Sequence, residues 1–260
     1  MAFSPSWKLQ EHRDLIKAGF EHNLILELLS KGYRRKLYDL WNQTPLLVAK
    51  SMGCKFSSRT PVKSLREVYI EEIYNVRGFI PKKGDTVVDV GANFGDSTIW
   101  WAKVYGAKVK AFEPLDKVYD VLKENVELNH ADVELFHMAL GDGSLLRGFS
   151  EENMLTSSGE TGDLQFTSQR LDDIMVEKPD LLKIDVEGFE YEVLSGAKET
   201  ISSTRPPIII ETHSLRLREK CDKFLSEIGY KLEFEGRKLF PDIPGMDVVQ
   251  NLFYSHEKFQ

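Results

Sequence analysis

Cysteine is scarce in this sequence, and its scarcity restricts the kinds of site that the chain can form. Only Cys54 and Cys221 occur among the 260 residues, far apart and outside any Cys-x-x-Cys or Cys/His ligand spacing. Zinc modules and disulfide-stabilised domains need more cysteines, or closer ones. We therefore expect two ordinary thiols, a reducing compartment, and a fold that depends on its hydrophobic core.

Long apolar runs are missing as well. The longest, such as the four residues 46–49, are far shorter than the roughly 20 residues that a membrane-spanning helix needs. The first residues, MAFSPSWKLQEHRD, also lack the apolar centre of a signal peptide. The sequence therefore predicts a cytoplasmic protein without a membrane segment.

Neither sign of charge dominates the composition, but the charges are unevenly distributed along the chain. The formal net charge is −7, to which residues 1–83 contribute +7 and residues 84–260 contribute −14. The basic run Tyr33–Lys36, with Tyr38 and Trp41 nearby, has residue types that contact nucleic-acid phosphates and stack on bases. A solvated helix face is the alternative, and the acidity of the remaining chain disfavours nucleic acid. An anionic small molecule or a glycan precursor suits the asymmetry equally well.

The N-terminal part of the chain has the apolar spacing of helices. Up to about Lys50, apolar residues recur every three or four positions, which predicts two or three helices. Gly19 and Gly32 are the predicted breaks, and Pro45 is a predicted stop or kink. One more helix is expected around residues 68–74.

From Gly84 onward, short apolar strands alternate with helices. The predicted strands are 86–90, 108–112, 133–138, 181–185, 207–211, 230–234 and 248–254. The predicted helices are 97–105, 115–129, 189–195 and 215–227. This alternation indicates an α/β fold with a largely parallel sheet, and the Gly-, Ser- and Thr-rich stretch 141–171 predicts a hairpin or an active-site flap. We assign residues 1–60 to a helical N-terminal extension or cap and residues 61–260 to the catalytic domain.

A glycine turn follows the first predicted strand. Gly91 would allow the backbone to approach a ligand closely, and Gly95 would begin the next helix. Glu113 ends the second strand, 22 residues after Gly91. An acidic residue at this spacing can accept hydrogen bonds from the ribose hydroxyls of a nucleotide-like cofactor. Together these residues predict an adenosine-type ligand.

The same turn distinguishes two cofactor classes. It lacks the dinucleotide pattern G-x-G-x-x-G, because Asn93 occupies the position of the second glycine. Asp89 and Asp96 would repel a diphosphate and attract the sulfonium and ammonium groups of S-adenosylmethionine. The turn therefore favours S-adenosylmethionine over NAD. An oxidoreductase with a nucleotide cofactor and a non-catalytic cofactor-binding protein are the alternatives.

Several ordered motifs between about Tyr69 and His213 resemble the FkbM family of class I S-adenosylmethionine-dependent methyltransferases. They are VVDVGANFGDST (87–98), AFEP (111–114), ENVELN (124–129), MALGD (138–142), LLKIDVEGFEYEVLSGA (181–197) and IIIETH (208–213). The resemblance implies a Rossmann-like seven-stranded sheet, mostly parallel with an antiparallel last strand. It also implies O-methylation of a hydroxyl on a small molecule or glycan. RNA methylation with help from the basic N-terminal helices is an alternative.

The resemblance further implies a set of cofactor-binding residues at the strand ends. Asp89, Gly91 and Asn93 would contact the methionine part of the cofactor, and Glu113 would hold the ribose. Asp185 would close the pocket. The complete expected set, with Ala139 and Leu140 at the adenine edge, is Asp89, Gly91, Ala92, Asn93, Phe94, Ser97, Glu113, Pro114, Ala139, Leu140 and Asp185.

Candidate catalytic residues follow two further strands. Asp185, Glu187 and Glu190 come after one strand, and Glu211 and His213 come after the next. Methyl transfer needs an aligned acceptor and removal of its proton. His213, with an ordinary pKa of about 6.5, is expected to be neutral at pH 7 and to act as the base, oriented by Asp185 or Glu187. The alternatives are a helix-terminal role for Glu190 and a backbone-bonded strand-end role for His213.

The same side chains are of the types that bind Mg²⁺ or Mn²⁺. Asp185, Glu187, Glu211 and His213 offer hard oxygen and imidazole ligands. No spacing in the sequence demands an ion. We therefore predict no metal and treat a divalent cation as the less favoured hypothesis.

Overall fold

The fold is described from a computed structural model of the chain. It describes residues 13–19, 34–151, 154–157, 164–174, 177–238 and 249–256. The chain divides into two compact units, Met1–Glu72 and Ile73–Gln260. The roles assigned above to residues 1–60 and 61–260 stay predictions, because compactness does not assign a function to either part.

The first unit is helical in its described residues. Residues 13–17 are helical and end in a turn at Gly19, which has a φ of 89°. Helix α1 (Arg34–Ser51) and helix α2 (Val62–Tyr69) follow. The helix expected around 68–74 therefore ends earlier than predicted. The predicted break at Gly32 lies outside the described residues.

The sequence predicts that Pro45 either stops or kinks a helix. The predicted stop is wrong, because α1 continues through Pro45 to Ser51. A proline inside a helix leaves the carbonyl four residues earlier without its usual N–H donor. Here that carbonyl belongs to Trp41. It accepts hydrogen bonds from the Thr44 hydroxyl at 2.7 Å and from an Arg66 guanidinium nitrogen at 3.1 Å. These side chains replace the missing backbone donor.

A buried aspartate organises the same unit. Asp14 is 2% exposed and accepts hydrogen bonds from the Trp41 indole at 2.7 Å and from Arg66 at 2.6 Å. The Arg66 guanidinium also lies over the Trp41 ring, 4.0 Å from its centroid. Trp41 therefore packs within its own unit, which favours the helix-packing interpretation of this residue over base stacking.

The second unit contains ten described strands in two sheets. They are β1 (Thr86–Val90), β2 (Lys108–Phe112), β3 (Val133–Phe136), β4 (Leu145–Glu151), β5 (Met154–Ser157), β6 (Leu164–Thr167), β7 (Leu181–Ile184), β8 (Ile208–Thr212), β9 (Lys231–Lys238) and β10 (Gln250–Ser255). The main sheet has the order β3-β2-β1-β7-β8-β10-β9. Strand β10 is antiparallel to both of its neighbours, while β3, β2, β1, β7 and β8 pair in parallel. The predicted Rossmann-like α/β fold with an antiparallel last strand is confirmed.

Six described helices accompany these strands. They are α3 (Asp96–Trp100), α4 (Asp116–Asn129), α5 (Leu171–Ile174), α6 (Glu190–Gly196), α7 (Lys198–Thr204) and α8 (Leu215–Glu227). The helix predicted over 97–105 is α3 followed by one π-helical turn, Trp101–Tyr105. Helix α7 was not anticipated from the sequence. Buried apolar residues of β1, β7, β8 and β10 pack with those of α6, α7 and α8 in one hydrophobic cluster.

The stretch 141–171 forms a second, smaller sheet. Strand β4 pairs antiparallel with both β5 and β6. The hairpin predicted for this stretch is therefore confirmed, with one strand more than a simple hairpin has. Both cysteines are buried free thiols, as expected. Among the described residues, no helix combines the length and apolar character that crossing a bilayer requires.

Candidate functional site

The carboxyl ends of the parallel strands bring the predicted site residues to one edge of the main sheet. Gly91 directly follows β1 and has a φ of 75°. A Cβ atom at this position would lie 1.8 Å from the backbone oxygen of Asp185, at the end of β7. The backbone N–H groups of Gly91 and Ala92 donate to the carbonyl of Phe112, at the end of β2. Only glycine fits at this point, because the turn is held against two neighbouring strands.

Glu113 lies directly behind the glycine turn. Its carboxylate accepts hydrogen bonds from the backbone N–H of Asn93 at 3.1 Å and of Leu115 at 2.9 Å. Asn93 has a φ of 49°, which is unusual for a residue other than glycine. Burial raises the pKa of Glu113 to about 7, against the lowering effect of the two backbone hydrogen bonds. The Glu113 carboxylate, which is expected to bind the ribose, thus also stabilises the conformation of the turn.

Asp89 and Lys183 form a buried ion pair beneath the turn. Asp89 is 0% exposed, and one of its oxygens accepts hydrogen bonds from the hydroxyls of Ser97 at 2.9 Å and Thr98 at 2.6 Å. The other oxygen lies 3.1 Å from the Lys183 ammonium. Sequence reasoning missed Lys183, although a lysine within the apolar strand β7 was a visible signal. The direct cofactor contact predicted for Asp89 stays a prediction, since protein groups surround its side chain.

Three other predicted cofactor-binding residues are buried around the turn. Ala92 is 1% exposed, and the Ser97 hydroxyl is engaged with Asp89. Phe94 packs with Val118 and Val121 of α4. The side chains of Ala92, Phe94 and Ser97 therefore support the turn from within, and their contact with a cofactor stays a prediction.

Two cavities that share three lining residues extend from the turn along the sheet edge. The larger has a volume of about 520 Å³ and is lined by Pro114, Asp116, His137, Met138, Ala139, Gln165, Phe166, Thr167, Gln169 and Ile174. The smaller is lined by Val90, Gly91, Phe112, Pro114, Met138, Ala139, Leu140, Leu146, Val186 and Phe189. Pro114 and Ala139 line both cavities, while Gly91 and Leu140 line the smaller one, which has a volume of about 20 Å³. Small-molecule sites commonly occupy about 300–1,000 Å³.

His213 lies among carboxylates at the ends of β7 and β8. Its Nε2 atom is 3.1 Å from a Glu187 oxygen and 3.5 Å from a Glu211 oxygen. Its Nδ1 atom is 3.1 Å from Glu190, and an Asp185 oxygen lies 4.0 Å from Nε2. The grouping of four carboxylates and one imidazole that the sequence predicts at this edge is confirmed.

These carboxylates change the charge expected for His213. Burial lowers its pKa, but hydrogen bonds and charges from Glu190, Glu211 and Glu187 outweigh burial and raise the pKa well above 6.5. The expectation of a neutral imidazole at pH 7 is therefore wrong. A protonated imidazole has no free lone pair with which to accept a proton. The raised pKa disfavours His213 as the base, and the catalytic role predicted for it stays a prediction.

Glu187 and Glu190 differ in accessibility. The Glu187 side chain is 33% exposed, and its backbone has a φ of 54°. Burial raises its pKa to about 7, against the lowering effect of His213. Glu190 is 0% exposed and accepts hydrogen bonds from the backbone N–H groups of Val186 and Gly188. Glu190 therefore holds the loop before α6, in keeping with its predicted helix-terminal role, while Glu187 reaches solvent.

The cluster also contains the residue types of a divalent-cation site. Asp185, Glu211 and His213 each offer one ligand atom, and these atoms lie within 4.8 Å of one another. Both imidazole nitrogens of His213 face carboxylates at the distances of ion pairs. In the part of the chain that the structure describes, His213 thus lies among carboxylates whose hydrogen bonds and charges raise its pKa.

Known proteins resemble this chain over most of the second unit. The profile of the methyltransferase FkbM domain matches residues 89–234, which is more than half of the chain. Methyltransferase sdnD from Sordaria araneosa is 26% identical over 221 residues, which cover 68% of this chain and 85% of that protein. Hexuronic acid methyltransferase AglP from Haloferax volcanii is 28% identical over 212 residues, which cover 75% of this chain and 85% of that protein.

The comparison with solved structures matches methyltransferase FkbM from Methylobacillus flagellatus. It is 17% identical in sequence, with a TM-score of 0.48, and the match covers 84% of this chain and 60% of that one. The family assignment rests on the profile match, which spans the glycine turn, Glu113 and the cluster around His213. The chain therefore belongs to the FkbM methyltransferase family.

Proposed function

We propose that this methyltransferase uses S-adenosylmethionine to methylate a hydroxyl oxygen of a small molecule or glycan. The observation that carries the proposal is the arrangement of Gly91, which lines the smaller cavity, and Glu113, whose carboxylate accepts the Asn93 N–H of the same turn. The glycine turn packs closely against the end of β7 beside the smaller cavity, and Glu113 supplies a carboxylate at the spacing suited to ribose hydroxyls. Ala139 and Leu140 line the same space farther along, where an adenine ring would pack.

The acidic end of the site supports a cationic cofactor. Asp185, Glu187, Glu190 and Glu211 surround one imidazole, so acidic groups outnumber basic groups in this cluster. A sulfonium and an α-ammonium group would be attracted to such a cluster, whereas a diphosphate would be repelled. This balance favours S-adenosylmethionine over NAD.

The acceptor proton needs a base that is accessible and ionised near pH 7. When bound, S-adenosylmethionine supplies a methyl group on a sulfonium leaving group. Glu187 is the best-suited base in this site, because it reaches solvent and its pKa of about 7 is close to the working pH. It would take the proton of the acceptor hydroxyl while that oxygen bonds to the methyl carbon. His213, held by Glu190, would keep the Glu187 carboxylate in place.

The acceptor class follows from the relatives and from the site. AglP is by its name a hexuronic acid methyltransferase. A sugar hydroxyl is an acceptor from which a carboxylate base can take the proton during methyl transfer. Among the residues that the structure describes, no independent observation favours RNA. We therefore propose a sugar or related hydroxyl compound as the acceptor.

Calorimetry with S-adenosylmethionine, S-adenosylhomocysteine and NAD tests the cofactor. We expect the two sulfur compounds to bind and NAD not to bind; NAD binding without S-adenosylmethionine binding would overturn the proposal. The acceptor is sought by mass spectrometry of small molecules and of RNA from cells with and without the protein. Methylation confined to RNA would contradict the proposed acceptor class.

The proposed base is tested by Glu187→Gln. Loss of general-base catalysis lowers kcat by about 10²- to 10⁴-fold, while the affinity for S-adenosylmethionine changes little. Glu219→Gln is the matched control, because Glu219 is an exposed glutamate of α8. A Glu187→Gln variant with wild-type kcat would remove Glu187 from the mechanism.

A further inference from the structure

Lys183 stands out as a buried cation that neither the resemblance nor the predicted site explains. It is 2% exposed in strand β7, between the apolar residues Leu182 and Ile184. Burying an ammonium group is costly unless the group is paired and hydrogen-bonded. A lysine at this position therefore needs partners that hold it there.

The partners of Lys183 belong to the two strand ends that form the head of the site. Its ammonium donates a hydrogen bond to the Gly91 carbonyl at 2.7 Å. It lies 3.1 Å from an Asp89 oxygen and 3.6 Å from an Asp185 oxygen. One side chain thus connects the last part of β1, the glycine turn and the residue that follows β7.

This connection continues to the other side of the turn. The second oxygen of Asp89 accepts the hydroxyl hydrogens of Ser97 and Thr98, which lie in the first turn of α3. Lys183 therefore anchors the turn where it leaves β1, and Asp89 anchors it where it enters α3. Burial lowers the pKa of Lys183, but the charges of Asp89 and Asp185 outweigh burial and raise it.

We propose that Lys183 is the positioning residue of the cofactor-binding turn. It fixes the Gly91 carbonyl and the Asp89 carboxylate, and through them the backbone path from Gly91 to Gly95 that faces the cofactor. It acts through these groups and does not itself touch the reacting atoms. This inference rests on the proposed function, because it assumes that the turn binds S-adenosylmethionine.

The test replaces Lys183 by Met, which keeps a similar length and removes the charge. The dissociation constant for S-adenosylmethionine, measured by calorimetry on the full chain, is expected to rise at least tenfold in Lys183→Met. Lys110→Met is the matched control, because Lys110 also lies in a strand of the same sheet and pairs with Glu134. It should bind within twofold of wild type. A Lys183→Met variant with wild-type affinity would overturn the proposal.

A double variant separates positioning from simple charge balance. In Asp89→Asn/Lys183→Met the carboxylate is no longer left unpaired, so folding should recover, but the Gly91 carbonyl still lacks its donor. We expect this variant to bind S-adenosylmethionine more weakly than Asp89→Asn alone, and equal affinity of the two variants would show that Lys183 only neutralises Asp89. If Lys183→Met alone fails to fold, the affinity for S-adenosylmethionine is measured on the double variant instead.

Amide hydrogen exchange tests the positioning role of Lys183 separately from the proposed function. If wild-type protein does not bind S-adenosylmethionine, the proposed function fails whatever Lys183 does. Without any cofactor, Lys183→Met, or the double variant if Lys183→Met does not fold, should show faster amide exchange in residues 91–98 than wild type. The sheet strands should exchange as in wild type. Unchanged exchange in residues 91–98 would refute the positioning role by itself.

Discussion

Replacing Glu113 by Gln is the sharpest test of the cofactor site, because the structure sets both the size and the pH dependence of the effect. Glu113 is 5% exposed, and its carboxylate already accepts the N–H groups of Asn93 and Leu115. A ribose hydroxyl would donate to a remaining lone pair of the ionised group. Losing a hydrogen bond to a charged group costs about 1.5–3 kcal/mol, which corresponds to a roughly 10- to 150-fold rise in the dissociation constant.

The pH dependence follows from the raised pKa. With a pKa of about 7, Glu113 becomes increasingly protonated below pH 7, and only the ionised form is the full acceptor. Affinity is reduced by the fraction of competent protein, so the wild-type dissociation constant should rise roughly tenfold for each pH unit below 7. Binding at pH 6 should also release close to one proton, since the ligand selects the ionised form. At pH 8 it should release almost none.

Calorimetry in buffers of different ionisation enthalpy measures both affinity and proton release. Glu113→Gln should bind weakly, with little pH dependence between pH 5.5 and 8. Glu127→Gln, at an exposed position of α4, should behave as wild type. The reasoning is refuted if wild-type affinity is independent of pH over this range, or if Glu113→Gln binds as tightly as wild type.

Three further predictions concern the turn, His213 and metal ions. Gly91→Ala places a Cβ atom 1.8 Å from the Asp185 backbone oxygen and should cost about 3 kcal/mol of unfolding free energy in urea titrations. Gly84→Ala, with φ of 88° and open space around it, should cost only about 1–2 kcal/mol; equal losses would contradict the close contact. His213→Asn should lower stability most at and below pH 6.5, because a raised folded-state pKa contributes stability that is lost as the pH rises through it. A difference that grows toward alkaline pH would show that His213 is not a buried cation. Activity should survive chelation and exhaustive dialysis, and loss that Mg²⁺ restores would establish the metal hypothesis.

Much of the second unit could be predicted from local sequence. The β-branched run Thr86–Val90 is buried along its whole length, and such a run followed by glycine has few alternatives to a strand and a turn. Glu113 was identifiable because an acidic residue at the end of the second strand, at this distance from Gly91, can accept hydrogen bonds from ribose hydroxyls. The strand and the turn are confirmed because each depends on residues close together in the chain, while the ribose role of Glu113 stays a prediction.

Other features depend on contacts that no local pattern records. Pro45 lies within a helix because Thr44 and Arg66 supply donors to the Trp41 carbonyl. The position of β10 between β8 and β9 depends on how the chain returns to the sheet. Sequence periodicity fixes neither, since each also depends on a partner that is distant in sequence, Arg66 in one case and the neighbouring strands in the other.

The sequence by itself determined the family resemblance, the alternation of strands and helices, and the residue types gathered at the strand ends. The pKa values and the contacts of these strand-end residues depend on the tertiary structure. The pKa of His213 is raised because carboxylates from two strand ends surround it, and Lys183 contacts the glycine turn because β1 and β7 are neighbours. A pKa and a hydrogen-bond partner are set by the groups within a few ångströms, and folding, not sequence order, brings those groups together.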